Sequence, residues 1–277
     1  MKIVKFLKIS KDVLNVLKDI IRSEKMPVVR LNNVFRQADV SPIVLNAHKI
    51  NRGQTPEFTE GFGSEFEFVN FANENAAADF IAKTYAELTD DGDWRRVQVL
   101  SPMHKNPCGV QNLNKILQGY INPPSPNRAE TPFPGGVFRV GDKVMQMKNN
   151  YEKDVFNGDI GRIIRIEGKT VVVAFPERPE GDYVIYEKGE TDDLALAYAM
   201  SVHKSQGSEY PIVILPMVPS HYIMLQRNLL YTAVTRAKER VMIVGSKNAI
   251  YTAVSNDKTK RRYSLLAERL QESGEIF

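Results

Sequence analysis

The feature that most restricts this chain is a set of nearly unbroken apolar runs in its last third, at Leu194–Met200, Ile212–Leu215 and Val241–Val244. A half-buried strand alternates apolar and polar residues. A run that is apolar throughout must be covered on both faces, as in a parallel sheet with helices on either side. A helical pattern lies between these runs, near Ile223–Thr235. Earlier, an alanine-rich helical stretch from Phe71 to Leu88 precedes another short run, Val97–Leu100, and a helix over 110–117. This alternation predicts an α/β lobe built on a parallel sheet. Two segments also end in dense polar clusters: Tyr198-Ala-Met-Ser-Val-His-Lys-Ser-Gln-Gly-Ser-Glu209 and Leu230-Tyr-Thr-Ala-Val-Thr-Arg-Ala-Lys-Glu239. Apolar elements that deliver His, Lys, Gln, Glu, Thr and Arg together read as a phosphate-handling surface.

The middle of the chain has a different texture. Asn122-Pro-Pro-Ser-Pro126, continuing through Pro132, Pro134, Gly135 and Gly136, is turn-rich and marks a boundary. From Val137 to Tyr186 the apolar runs are short, and Asn157-Gly-Asp159 and Glu167-Gly-Lys169 separate them as turns. That pattern predicts a small β-barrel inserted into the α/β lobe. The expected division is a basic segment at 1–25, the first part of the lobe at 26–135, the β insert at 136–189 and the rest of the lobe at 190–277. Within the first two parts, Val13, Val16, Leu17, Ile20 and Ile21 follow helical spacing up to Pro27. Val28–Leu31 reads as a short buried strand, and Ser41–Asn51 as a helix with Pro42 in its first turn.

Composition excludes several classes. The single cysteine, Cys108, rules out an internal disulfide framework and cysteine-based metal sites, and fits a reducing cytoplasm. None of the four histidines (His48, His104, His203, His221) has zinc-type spacing. No apolar run approaches a membrane span, and Lys5, Lys8, Lys11 and Lys18 interrupt the N-terminal apolar residues in a way that argues against a secretory signal. The net charge of +4 is compatible with nucleic acid without demonstrating it. No segment matches the Gly-x-x-x-x-Gly-Lys-[Ser/Thr] phosphate loop. Gly136-Val-Phe-Arg-Val-Gly-Asp-Lys143 has the glycine spacing, but Asp142 stands where the lysine should be and the stretch opens a β region.

Phe35-Arg-Gln37, Ser101-Pro-Met-His-Lys105, Ser201–Glu209 and Tyr231–Lys238 occur in the order found in superfamily 1 DNA helicases, which the chain resembles. Val29-Arg-Leu-Asn-Asn-Val-Phe-Arg-Gln-Ala38 and Asn46-Ala-His-Lys-Ile-Asn-Arg-Gly53 resemble the RecD-type branch, the alpha subunit of exodeoxyribonuclease V and its stand-alone relatives. The resemblance runs from about Pro27 to the C-terminus. It implies a RecA-like (P-loop NTPase-type) second lobe with an inserted SH3-like barrel, from an ATP-dependent 5′-to-3′ helicase. ATP and Mg would be held mainly by a first lobe outside this chain, whose Gly-Asp-x-x-Gln motif residues 1–25 do not show.

The same resemblance assigns roles. Arg36 and Arg236 would reach the ATP γ-phosphate; a guanidinium is always charged and offers a planar fork of donors suited to an arginine finger. Gln37 would orient Arg36 or the nucleotide. Glu209 would accept hydrogen bonds from the ribose hydroxyls, with Gln206 and Gly207 in the same turn. Ser201, His203 and Lys204 would contact the DNA backbone, and His104 and Lys105 are further DNA candidates. In the insert, Lys143, Lys148, Arg162 and Arg165 are candidates for phosphate, and Tyr151 and Phe156 for stacking on bases. Each has a plainer alternative: an ion pair, a structural histidine, a core aromatic or a solvated lysine. The implied partners are single-stranded DNA and the first lobe, and other subunits of a helicase–nuclease complex are left open. No carboxylate cluster suggests a nuclease site. A rival reading makes the chain a stand-alone single-stranded DNA or protein binding module that uses no ATP.

Overall fold

The computed structural model describes residues 11–29, 41–58, 63–257 and 265–272. In chain order the first elements are α1 (Lys11–Ser23), α2 (Pro42–Asn51), β1 (Phe66–Asn70), α3 (Glu74–Leu88), β2 (Val97–Ser101) and α4 (Val110–Ile121). Then come β3 (Glu130–Phe133), β4 (Gly136–Arg139), β5 (Lys143–Gln146), β6 (Ile160–Glu167), β7 (Thr170–Ala174), β8 (Val184–Tyr186) and β9 (Leu194–Leu196). The last are β10 (Ala199–Ser201), β11 (Tyr210–Met217), α5 (Arg227–Val234), β12 (Ala237–Gly245), α6 (Lys247–Ser255) and α7 (Leu266–Glu272). The chain forms two compact units, residues 1–40 with 258–277, and residues 41–257.

In the first unit α1 packs against α7. The strand expected at 28–31 does not form in its described half: Val28 and Val29 lie in irregular backbone and are exposed. Two valines meet a strand's composition, but a strand also needs a neighbour to take its hydrogen bonds.

The second unit is built on a five-stranded sheet of order β1-β12-β11-β2-β10, in which every pairing is parallel. β2 is buried throughout, β11 is buried at all but Pro211 and β12 is buried from Val241 to Gly245, as the unbroken apolar runs require. Two of the helices that cover it, α2 and α3, start at sequence-encoded caps. Ser41 Oγ accepts from Ile43 N–H ahead of Pro42, and Asn73 Oδ1 accepts from Asn75 and Ala76 N–H at the start of α3. The alanine face of α3 then lets Ala77, Ala78, Ile81 and Ala82 sit fully buried in one of the two lobe cores.

The barrel is a second five-stranded sheet, antiparallel, of order β8-β7-β6-β5-β9, with the β3–β4 hairpin beside it. Gly161 sits so close to β7 that a Cβ there would lie 2.6 Å from Val173 Cγ1 and 2.7 Å from the Ala174 carbonyl. The run at 194–200, expected as one strand, serves both sheets. Its first half is β9, antiparallel to β5, and its second half is β10, parallel to β2. Where the chain passes between them, Gln98 Nε2 donates to the carbonyls of Ala197 and Tyr198 at 3.1 and 3.0 Å. A buried side-chain amide thus replaces the ladder hydrogen bonds that a strand loses on leaving its sheet.

Asp142 and Lys143 fasten barrel to lobe. Asp142 is fully buried, and its carboxylate accepts from Asn122 Nδ2 (2.6 Å), Gln118 Nε2 (2.6 Å), Tyr198 Oη (2.9 Å) and the Arg139 N–H (2.7 Å). Burial pushes its pKa up while these donors pull it down. The glycine-spaced stretch at 136–143 is therefore a strand and turn that anchors the insert.

Candidate functional site

The two polar clusters meet in space. β11 and β12 are parallel neighbours, so the turn before β11 and the end of α5 before β12 lie side by side at the N-terminal edge of the sheet. Arg236 joins them. Its Nη1 donates to the Ser208 carbonyl at 3.1 Å, its Nε to the Thr232 carbonyl at 3.2 Å and its Nη2 to Thr235 Oγ1 at 3.3 Å. The Arg236 carbonyl in turn accepts from Tyr210 N–H at 2.8 Å. Beside it the Glu209 carboxylate stands 3.6 Å from Lys238 Nζ. A fork of guanidinium donors and a carboxylate with its own cation thus share one half-exposed edge, an arrangement chemically suited to phosphate on one side and hydroxyls on the other. Arg36 and Gln37 lie outside the described residues.

The other expected contacts gather at the opposite edge. β10 and β2 end in register at Ser201 and Ser101, so the loops that follow them leave the sheet together. His203 is exposed on one loop, and His104 and Lys105 are exposed on the other. Ser201 differs from expectation: at 7% exposure it offers little hydroxyl surface, because it is still part of the sheet. Lys204 Nζ donates to Asn157 Oδ1 of the barrel at 2.6 Å. That bond places the Asn157 turn next to the motif loop. In the same turn region Tyr151, 78% exposed, and Phe156, 40% exposed, form an edge-to-face pair with centroids 5.9 Å apart.

Residues 202–209 therefore connect two edges. Ser201 is level with Ser101, Ile212 is level with Val97, and Tyr210 lies two residues further back along β11. At ~3.3 Å per residue the loop spans about 20 Å across the sheet. Near its end Gly207 has φ +92°, and a Cβ there would meet nothing within 4 Å. Left-handed backbone, rather than close approach of a neighbour, is what calls for glycine at this point.

One insert candidate is corrected. Lys143 cannot touch phosphate: it is 2% exposed, and its Nζ donates to the carbonyls of Trp94 and Val97, each at 3.0 Å. Lys148 pairs with Asp193 at 2.7 Å and Arg165 with Glu167 at 3.3 Å, and both stay accessible. The partners that sequence reasoning missed are Lys238, Asn157 and the Ser208 carbonyl. Lys238 stood in a quoted motif without a role and Asn157 read only as a turn. A main-chain acceptor leaves no mark in sequence. Among the described residues no group of three or more His, Cys, Asp or Glu stands together that could hold a metal ion, and no helix is long and apolar enough to cross a membrane.

Two family models match. Residues 113–175 match the SH3 domain of ATP-dependent RecD-like DNA helicases, and residues 196–244 match the UvrD-like helicase C-terminal domain. The ATP-dependent RecD2 DNA helicase of Deinococcus radiodurans is 34% identical over 249 residues, 90% of this chain and 33% of that protein. The RecBCD enzyme subunit RecD of Mycolicibacterium smegmatis is 32% identical over 181 residues, 64% of this chain and 30% of that protein. The chain thus spans about a third of the length of these relatives. The Pif1 helicase from Bacteroides in complex with ADP-AlF3 and ssDNA covers 89% of this chain and 57% of its own, at 18% identity and a TM-score of 0.49. The resemblance to RecD-type helicases extends through most of the sequence, and the architecture is the expected one, a parallel-sheet lobe with an SH3-like insert.

Proposed function

From this kinship with RecD-type helicases we propose that the chain supplies the second motor lobe of an ATP-dependent 5′-to-3′ DNA helicase. Arg236 reaches the γ-phosphate of an ATP held mainly, with its Mg, by another lobe. In the state described, its donors rest on the Ser208 and Thr232 carbonyls. Closure on nucleotide exchanges those acceptors for phosphate oxygens, which stabilise the fork more strongly. Glu209 receives the ribose hydroxyls, with Lys238 beside its carboxylate. By the resemblance of their motif, Arg36 and Gln37 would serve the same nucleotide. At the other edge His203, Lys204, His104 and Lys105 hold the DNA backbone, Ser201 anchors the loop from within the sheet, and Tyr151 and Phe156 of the barrel flank the strand.

The observation that carries this reading is the bond from Arg236 to the Ser208 carbonyl. It makes the γ-phosphate sensor part of the loop whose other end lies at the DNA edge. Binding at either end then biases the same closure, as coupling between sites requires. The isolated chain has no phosphate loop and should hydrolyse ATP negligibly. The decisive experiment is Arg236→Ala in the full-length protein that carries this chain, read as single-strand-stimulated ATP turnover and as affinity for single-stranded DNA. Turnover should fall by about 10³ or more while affinity stays within a few-fold. Equal losses in both, or brisk turnover by the isolated chain, would remove the assignment. The absence of a phosphate loop equally suits a binding module that uses no ATP; DNA affinity of the full-length protein that ignores ATP analogues would favour that alternative.

A further inference from the structure

The short 3₁₀ turn that follows β11, Pro219–Met224, is held rigidly yet presents two large side chains to solvent. Tyr222 is 68% exposed and Ile223 58% exposed, whereas their neighbours His221 and Leu225 are buried at 0% and 2%. The turn is fastened from several directions. The Glu74 carboxylate at the start of α3 accepts from Ser220 N–H at 3.0 Å and from Ser220 Oγ at 2.6 Å. The Leu225 carbonyl accepts from Asn256 Nδ2 at 2.8 Å. Asn106 Nδ2 donates to the Ser220 carbonyl at 3.4 Å, linking the turn to the loop that carries His104 and Lys105. Because β11 and β2 are parallel neighbours, both loops leave the same edge of the sheet.

An aromatic ring on a pinned support, near a loop that exposes a lysine, is the combination that binds single strands without reading sequence. Cations track the phosphates and the ring stacks on a base. A loose surface tyrosine would lose side-chain and backbone freedom on binding, and here the backbone share is already spent in folding. We infer that Tyr222, with Ile223 beside it, is a base-stacking step for single-stranded DNA at the C-terminal edge of the sheet, on the strand whose phosphates meet His104 and Lys105. The inference rests on the proposed DNA edge and adds a base contact from the lobe itself to the backbone contacts of His104 and Lys105.

The test is fluorescence anisotropy of the full chain with labelled oligo(dT) and with an abasic oligodeoxynucleotide of equal length, over a range of salt. Tyr222→Ala should weaken oligo(dT) binding about tenfold, the order of one lost base–aromatic stack. It should leave abasic affinity and the salt slope of oligo(dT) binding unchanged, because no phosphate contact is removed. Tyr222→Trp should retain oligo(dT) affinity, which separates stacking from damage to the fold. Wild-type oligo(dT) affinity in Tyr222→Ala, or an equal loss on both oligonucleotides, would overturn the stacking step while leaving the DNA edge intact. Failure of the wild-type chain to bind either oligonucleotide would overturn the edge and the step together.

Discussion

Lys143 gives the sharpest quantitative prediction, because its environment converts directly into a dependence of stability on pH. It opens β5 of the barrel but projects into the lobe, where Nζ donates to the Trp94 and Val97 carbonyls and lies 6.0 Å from the Tyr85 ring centroid and 5.7 Å from that of Trp94. Burial lowers its pKa from 10.5 to about 7, and the opposing pull of the Asp93 charge does not offset it. The sign follows from proton counting. Between pH 7 and 10.5 the unfolded chain holds a proton on this amine that the folded chain has shed, so stability rises with pH through that window. The contribution is complete above the unfolded pKa and is lost as pH falls toward 7, where folding buries an ammonium. From pH 7.5 to 9.5 the linkage is worth about 2.5 kcal/mol. Lys143→Met keeps the apolar stem and removes the proton. It also leaves two carbonyls without a donor, a cost independent of pH. The buried phenols of Tyr85, Tyr186 and Tyr198, held well above the usual tyrosine range, titrate alike in both proteins and cancel in the difference. Urea unfolding at pH 7.5, 8.5 and 9.5 should therefore show the wild type gaining on Lys143→Met by about 2.5 kcal/mol across the series. A gap between the two proteins that stays constant with pH would refute the argument, since it would mean the amine keeps its proton in the fold.

Other outcomes follow from the same geometry. Asp142→Ala removes the acceptor shared by Gln118, Asn122, Tyr198 and the Arg139 N–H, and should cost at least about 3 kcal/mol in denaturant unfolding. Gly207→Ala should cost about 1 kcal/mol through its left-handed backbone alone, with Gly207→Asn milder, because no atom stands within 4 Å of the added Cβ. Lys105→Ala should weaken single-stranded DNA binding on every sequence alike and reduce the salt slope by about one counterion, read by anisotropy at several salt concentrations.

What the sequence disclosed and what it withheld divide along a physical line. Unbroken apolar runs must be covered on both faces, so the parallel sheet of β2, β11 and β12 was legible, and so was the barrel, from short runs punctuated by Asn157-Gly and Glu167-Gly. Partnerships between distant residues were not legible. Gln98 serving the carbonyls of 197 and 198, and Lys143 serving those of 94 and 97, depend on where two sheets abut, and local pattern carries no trace of that. The run at 194–200 looked like one strand because a segment passing between two cores is apolar for both. Val28 and Val29 failed for the converse reason, composition with no pairing strand among the described residues.

The candidate site shows the same division with more consequence. Ser201 to Glu209 reads as one dense cluster, and adjacency in sequence suggests adjacency in space. Register shows otherwise: the segment starts beside Ser101 at one edge and ends beside Arg236 at the other. Its interior is tied down by Ser205 Oγ donating to the Val202 carbonyl at 2.8 Å, and Lys204 reaches the barrel at Asn157. A segment pinned at both edges and in the middle cannot absorb a displacement at one end by local slack. On the proposed function, Arg236 turning to phosphate releases the Ser208 carbonyl, and that change at one end of the segment has to appear at Lys204 and His203. The mechanical link would then be the backbone of the motif itself, and it requires no separate relay of side chains through the core.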